Sequence, residues 1–179
     1  MTSGQLYWFD GLYVILLIVV AIVARATTRR IVGAVAGALV AGLAGLGIIT
    51  LGERAQVWHF VIPRHAYFLA HLVVDFTLCA YVFLIMWRVV RRFGSLGFVI
   101  TIIVAALIGP LRDYWYMAHF PAWGAYASGP SPVLAISATY VLLIVLGYGV
   151  MRLVAGPACE DRLSRWPWNA AERTAGTDR

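Results

Sequence analysis

The stretch 66–87 reads AYFLAHLVVDFTLCAYVFLIMW: twenty-two residues whose one formal charge, Asp75, falls near the middle. At a rise of ~1.5 Å per residue, Asp75 lies ~14 Å along a helix begun at Ala66, close to the mid-depth of a bilayer. A carboxylate there costs at least ~2.5–3.5 kcal/mol on insertion scales, so an intramembrane acid is a functional candidate by default. His71 stands four residues earlier, and i to i+4 spacing puts both side chains on one helix face. Tyr67 and Cys79 extend the same polar line by one turn each way.

Working outward, four further apolar segments flank this one, at about 6–24, 31–51, 93–111 and 133–151. Each approaches the ~20 residues needed to cross a hydrocarbon core. Without water to satisfy the backbone at that depth, helices are the economical reading. Composition agrees: 62% of the 179 residues are hydrophobic and 12% charged, with a mean hydropathy of +0.84. These values lie outside the usual soluble mixture. The expected fold is therefore all-α, an integral membrane bundle of five transmembrane helices spanning 1–155, followed by a short polar tail, 156–179.

The formal charge of +6 does not point to nucleic acid. All fourteen basic residues are Arg and none is Lys, which excludes Schiff-base lysine chemistry and a phosphate-loop lysine together. Eleven of the fourteen fall after the first, third and fifth segments, against Arg54, Arg64 and Arg112 on the other side. The positive-inside rule then places the N-terminus outside and the tail in the cytoplasm, as in a bacterial inner-membrane protein. No Arg precedes the first segment, so it reads as a retained helix rather than a signal peptide. Cys79 and Cys159 lie in a span and in the tail, a poor geometry for a disulfide.

The segment 31–51 carries Gly33, Gly37, Ala41 and Gly45 at every fourth position, a small-residue stripe that permits close backbone approach. It suits packing within the bundle, and also a homodimer or membrane-complex partner.

This topology gathers unusual residues on the outer side. Loop one, 52–65, contains His59, Arg64 and His65. Loop two, 112–132, reads RDYWYMAHFPAWGAYASGPSP and contains Arg112, Asp113, Trp115, Tyr116 and His119. Gly109 and Pro110 are expected to kink or end the fourth helix just before it. An interfacial aromatic belt explains much of this composition. It explains the adjacent Arg112 and Asp113 less well.

Three constellations follow. His71 with Asp75 forms an acid–base pair, with the carboxylate orienting the imidazole; the structural alternative is a hydrogen bond that holds the bundle, or pairing of Asp75 with Arg112. His59, His65, His71 and His119 are candidate metal ligands, Asp75 adding a carboxylate, although their spacing matches no recognised motif. Arg112, Arg64 and Arg54 could clamp a lipid phosphate or carboxylate beneath the aromatics. No cofactor is specified by any of these.

The leading expectation is a site open to the outer leaflet that binds or converts a lipophilic small molecule such as a lipid, isoprenoid or quinone. His71 and Asp75 would handle protons, Arg112 and Asp113 would position the polar end, and loop two would act as a lid. His119 is a second acid–base candidate, while Tyr67, Arg64, Trp115 and Tyr116 would contact substrate. The alternatives are a non-catalytic subunit or assembly factor of a membrane complex, and a proton-coupled transporter.

Overall fold

The computed structural model describes residues 3–60 and 64–158, with side chains described at all of these except 3–7, 9, 64–72 and 123. The fold is predominantly helical. Helix α1 (Ser3–Val23) and α2 (Thr28–Arg54) are followed by strand β1 (Trp58–Phe60) and helix α3 (Arg64–His119). A short 3-10 turn leads into β2 (Gly124–Tyr126), and α4 (Ser131–Ala155) closes the described chain. Among the described residues, three helical stretches are long and apolar enough to cross a membrane: Thr28–Arg54, Val73–His119 and Ser131–Ala155. Helices of this kind are consistent with an integral membrane protein.

Local signals set the helix ends. The Thr27 side chain accepts from the Arg30 backbone N–H at 3.4 Å and caps α2. Pro132, in the first turn of α4, sits where a missing N–H costs nothing. At the other end Gly156 adopts φ 75°, and its N–H returns to the Arg152 carbonyl at 2.8 Å.

Helix α3 is two arms, 64–93 and 95–119, joined at Gly94, whose φ of 60° and ψ of −139° break the helix. A Cβ built on Gly97 would stand 2.7 Å from the Val89 carbonyl oxygen. Residues eight apart in a continuous helix are separated by ~12 Å, so the chain has folded back on itself.

The glycine stripe of α2 is used inside the chain. Gly33, Gly37, Ala41 and Gly45 are all buried. A Cβ on Gly33 would lie 2.7 Å from the Ala155 Cβ, and one on Gly37 only 2.3 Å from the Gly147 carbonyl oxygen. The two helices therefore run antiparallel, backbone against backbone. Phe83, Leu84, Met86, Trp87 and Met151 fill the core at this end of the molecule. Arg30 is there too, 1% exposed, its guanidinium 5.5 Å from the centre of the Trp87 ring. Its Nη1 donates to the Gly156 carbonyl at 2.8 Å and its Nη2 to that of Pro157. A residue counted among the orienting arginines is thus a buried fastener for the C-terminal end of α4.

Two expectations about the opposite end are corrected. The fourth apolar segment does not stop at Gly109 and Pro110; the helix runs on through both to His119. Arg112 to His119 therefore belong to a helix and not to a loop. The physical reason lies in a neighbour. Pro110 lacks the N–H that would bond the Ala106 carbonyl, and the Ser137 hydroxyl of α4 donates to that carbonyl instead, at 2.8 Å. The intervening segments are also not wholly irregular. β1 and β2 pair antiparallel, Trp58 opposite Tyr126 and Phe60 opposite Gly124. Gly124 is required there, because a Cβ would stand 2.1 Å from the His59 carbonyl oxygen.

Adding a side chain to the stripe should force α2 from α4. Gly37→Val is expected to lower stability by ~1–3 kcal/mol, read as a fall in the thermal unfolding midpoint in detergent. Gly47→Ala, where a Cβ meets nothing within 4 Å, should stay within ~1 kcal/mol of the parent. Ser137→Ala should cost ~0.6–1.7 kcal/mol, and much less in a Pro110→Ala background, which returns an N–H to the Ala106 carbonyl. Additive losses in that double-mutant cycle would show that the two positions are not linked through this carbonyl.

Candidate functional site

A cavity of about 470 Å³ occupies the end of the molecule away from Arg30. That volume falls in the range of small-molecule sites. Both arms of α3 line it, together with Tyr13 of α1, Gly45, Ile48 and Ile49 of α2, and Tyr140 and Leu143 of α4. Trp58 and Phe60 of β1 and Tyr126 of β2 also line it. The strand pair is held down by Trp58, whose indole N–H donates to the Ile49 carbonyl at 3.0 Å. Its ring lies flat against Gly52, where any Cβ would collide with it at 2.0 Å.

Most of the wall is aliphatic or aromatic. The exception is a polar group on the second arm of α3. Arg112 Nε donates to Asp113 Oδ1 at 2.9 Å, and Nη2 approaches the same oxygen at 2.9 Å. Tyr140 donates its hydroxyl to that oxygen as well, at 3.1 Å. The guanidinium lies between two phenol rings, 5.6 Å from the centre of Tyr140 and 5.8 Å from that of Tyr116, within cation–π range. Gly109 makes this possible: a Cβ there would sit 2.3 Å from the Tyr140 ring.

One donor is left over. Arg112 Nη1 is buried and has no hydrogen-bond partner among the described residues. A buried donor without a partner costs ~1–3 kcal/mol, more when the group is charged. Around it stand five tyrosines, 13, 81, 116, 126 and 140, all lining the cavity. Tyr13 and Tyr116 share a hydrogen bond of 3.2 Å, and Tyr13 stacks on Tyr81. Burial, with the nearby Asp113 carboxylate adding to it, pushes the Tyr126 phenol up from its ordinary value, so it remains a hydroxyl donor.

The residues singled out from the sequence fall into three groups. Asp75, Arg112, Asp113 and Tyr116 meet at this cavity, although Asp75 comes from the first arm of α3 and the others from the second. Asp75 Oδ2 would pack 3.6 Å from a Cβ on Gly45, and Cys79 follows it one turn later along the wall. Trp115 and His119 are elsewhere: both are exposed and stack on each other at 4.2 Å, with His119 Nδ1 2.8 Å from the Trp115 carbonyl oxygen. His59 sits on β1 opposite Ala125. The side chains of Arg64, His65, Tyr67 and His71 lie outside the described residues. No group of three His, Cys, Asp or Glu side chains with metal-binding geometry occurs among the described residues.

Sequence reasoning missed Tyr13, Tyr81 and Tyr140. Each is a hydroxyl inside an apolar run, a signal that was legible in principle. Their convergence on Arg112 depends on three different helices.

No protein-family model, curated protein or solved structure matches this chain.

Tyr140→Phe keeps the ring beside Arg112 and removes only the hydroxyl from Asp113. It should lower stability by ~1–2 kcal/mol. Gly109→Ala should cost more in the same thermal unfolding measurement, because it displaces the whole ring. An equal or smaller loss for Gly109→Ala would mean that the Tyr140 ring is not what holds the guanidinium.

Proposed function

We propose that this chain is a membrane protein whose cavity binds, and presents for conversion, a lipophilic small molecule carrying a hydrogen-bond acceptor. The buried Nη1 of Arg112, which has no hydrogen-bond partner among the described residues, is the observation that carries the reading. A guanidinium nitrogen held over an otherwise apolar cavity suits a ligand with one polar end and a hydrocarbon body. The acceptor would settle at Arg112, with tyrosine hydroxyls as further donors. Asp75, with His71 one turn before it, is the proton-handling candidate on the facing arm.

The route in is lateral. Ile85, Val104 and Ile108 line the cavity and are also exposed on the outside of the α3 arms. In a bilayer that flank faces acyl chains, so a lipophile reaches Arg112 without crossing water. The topology proposed with this reading has five spans: α1, α2, the two arms of α3, and α4. The end bearing Arg88, Arg91, Arg92 and Arg152 faces the cytoplasm of a bacterial inner membrane. The cavity then opens toward the outer leaflet.

Purification in a gentle detergent followed by native mass spectrometry tests this reading. The expected result is a bound lipophile of defined mass on the parent protein. On Arg112→Gln, at unchanged helix content, that species should be reduced at least tenfold. Equal retention by Arg112→Gln would refute the assignment of the site.

A further inference from the structure

We infer that the group bound at Arg112 is an uncharged carbonyl, as in an ester, a ketone or a quinone, and not a phosphate or carboxylate. This inference rests on the lipophile-binding reading and sharpens it to one class of head group.

Charge and donor geometry at Arg112 both favour an uncharged acceptor. The strongest oxyanion contacts of an arginine use two parallel N–H groups of one guanidinium edge. Here one of the two such edges, Nε and Nη2, is already taken by Asp113 Oδ1, both nitrogens at 2.9 Å, and the other edge shares Nη2 with that contact. That contact also cancels the charge of Arg112 in place. Arg112 is the one basic side chain among the described residues lining the cavity, whereas two carboxylates, Asp113 and Asp75, line it. An anionic head group would bring a further negative charge to a guanidinium that Asp113 already balances. In a poorly screened apolar environment such an imbalance is costly. An uncharged acceptor meets no such penalty. It takes one hydrogen from Nη1, the donor that has no partner among the described residues, and leaves the Arg112–Asp113 pair undisturbed.

The tyrosines point the same way. Tyr13 and Tyr116 place two phenol hydroxyls, joined by a hydrogen bond, at the cavity wall. Tyr126 supplies another hydroxyl on the strand that closes the cavity. Neutral donors of this kind satisfy carbonyl lone pairs and do not neutralise an anion.

A matched pair of probes decides the matter: methyl palmitate and palmitate at pH 8, with a decyl-substituted benzoquinone alongside. Each is offered at the same mole fraction in detergent micelles, and the readouts are the thermal unfolding midpoint and the bound mass. Methyl palmitate, the benzoquinone or both should raise the midpoint and appear as bound species, with palmitate at least tenfold weaker. Binding of the ester alone would assign the carbonyl to an acyl ester, and binding of the benzoquinone alone to a quinone. Asp113→Asn, which releases the charge of Arg112, should shift preference toward palmitate. Should that variant not fold, the parent protein's preference between ester and acid still decides. Palmitate binding as tightly as its ester to the parent protein would overturn the inference while sparing the lipophile site. Binding of none of the three would sink both.

Discussion

Where no water can reach, a carbonyl or a guanidinium must find its partner inside the protein, and this constraint shapes the whole chain. The threonines obey it in the simplest way. Thr77, Thr101 and Thr139 each turn the hydroxyl back onto a carbonyl of the preceding turn, at 2.7–2.8 Å. Pro110 creates a larger debt by removing an N–H in mid-helix, and Ser137 of the neighbouring helix discharges it. Arg30 meets the same demand in reverse, its guanidinium covering carbonyls at the end of α4 that the helix itself leaves without donors. Against that background Arg112 stands out, since Asp113, Tyr116 and Tyr140 all serve it and one of its nitrogens still has no partner among the described residues.

The two ends of the bundle differ because of side-chain size. Toward Arg30, glycines and alanines of α2 let α4 approach to backbone contact, and large side chains from α3 fill what remains. Toward Asp75 the approach is looser, and a Cβ on Gly45 would meet its nearest atoms, of Asp75 and Leu143, at 3.6 Å. Gly45 there leaves room for the Asp75 carboxylate instead of admitting another backbone. The cavity lies where the backbones of α2 and α4 no longer touch. The β1–β2 pair closes over this open end, joining two segments whose central partners, His59 and Ala125, are 66 residues apart.

Much of this was readable from the residues alone. The apolar runs, the buried glycine stripe of α2 and the placing of Asp75 on a helix with Cys79 one turn later all follow from spacing and hydropathy. The continuation of the helix through Pro110 did not, because the group that compensates for the proline is a serine 27 residues further on. The role of Arg30 was hidden for a similar reason: a basic residue at the start of a hydrophobic segment looks like an orienting charge until its acceptors, Gly156 and Pro157, are seen. The short strands escaped notice because three residues carry too little periodicity to register.

By itself the sequence determined the apolar character of these runs and their helical form, since length, hydropathy and the need for internal hydrogen bonding are properties of each segment taken alone. It also determined that an acid lies deep in one of them. Tertiary structure decided which polar groups meet. Asp75 and Arg112 lie 37 positions apart in sequence, and Tyr13, Tyr116 and Tyr140 stand on three helices. They reach one cavity only because α3 reverses at Gly94 and Gly109 admits the ring of Tyr140. Such meetings depend on how faces pack against one another, and no single segment contains that information.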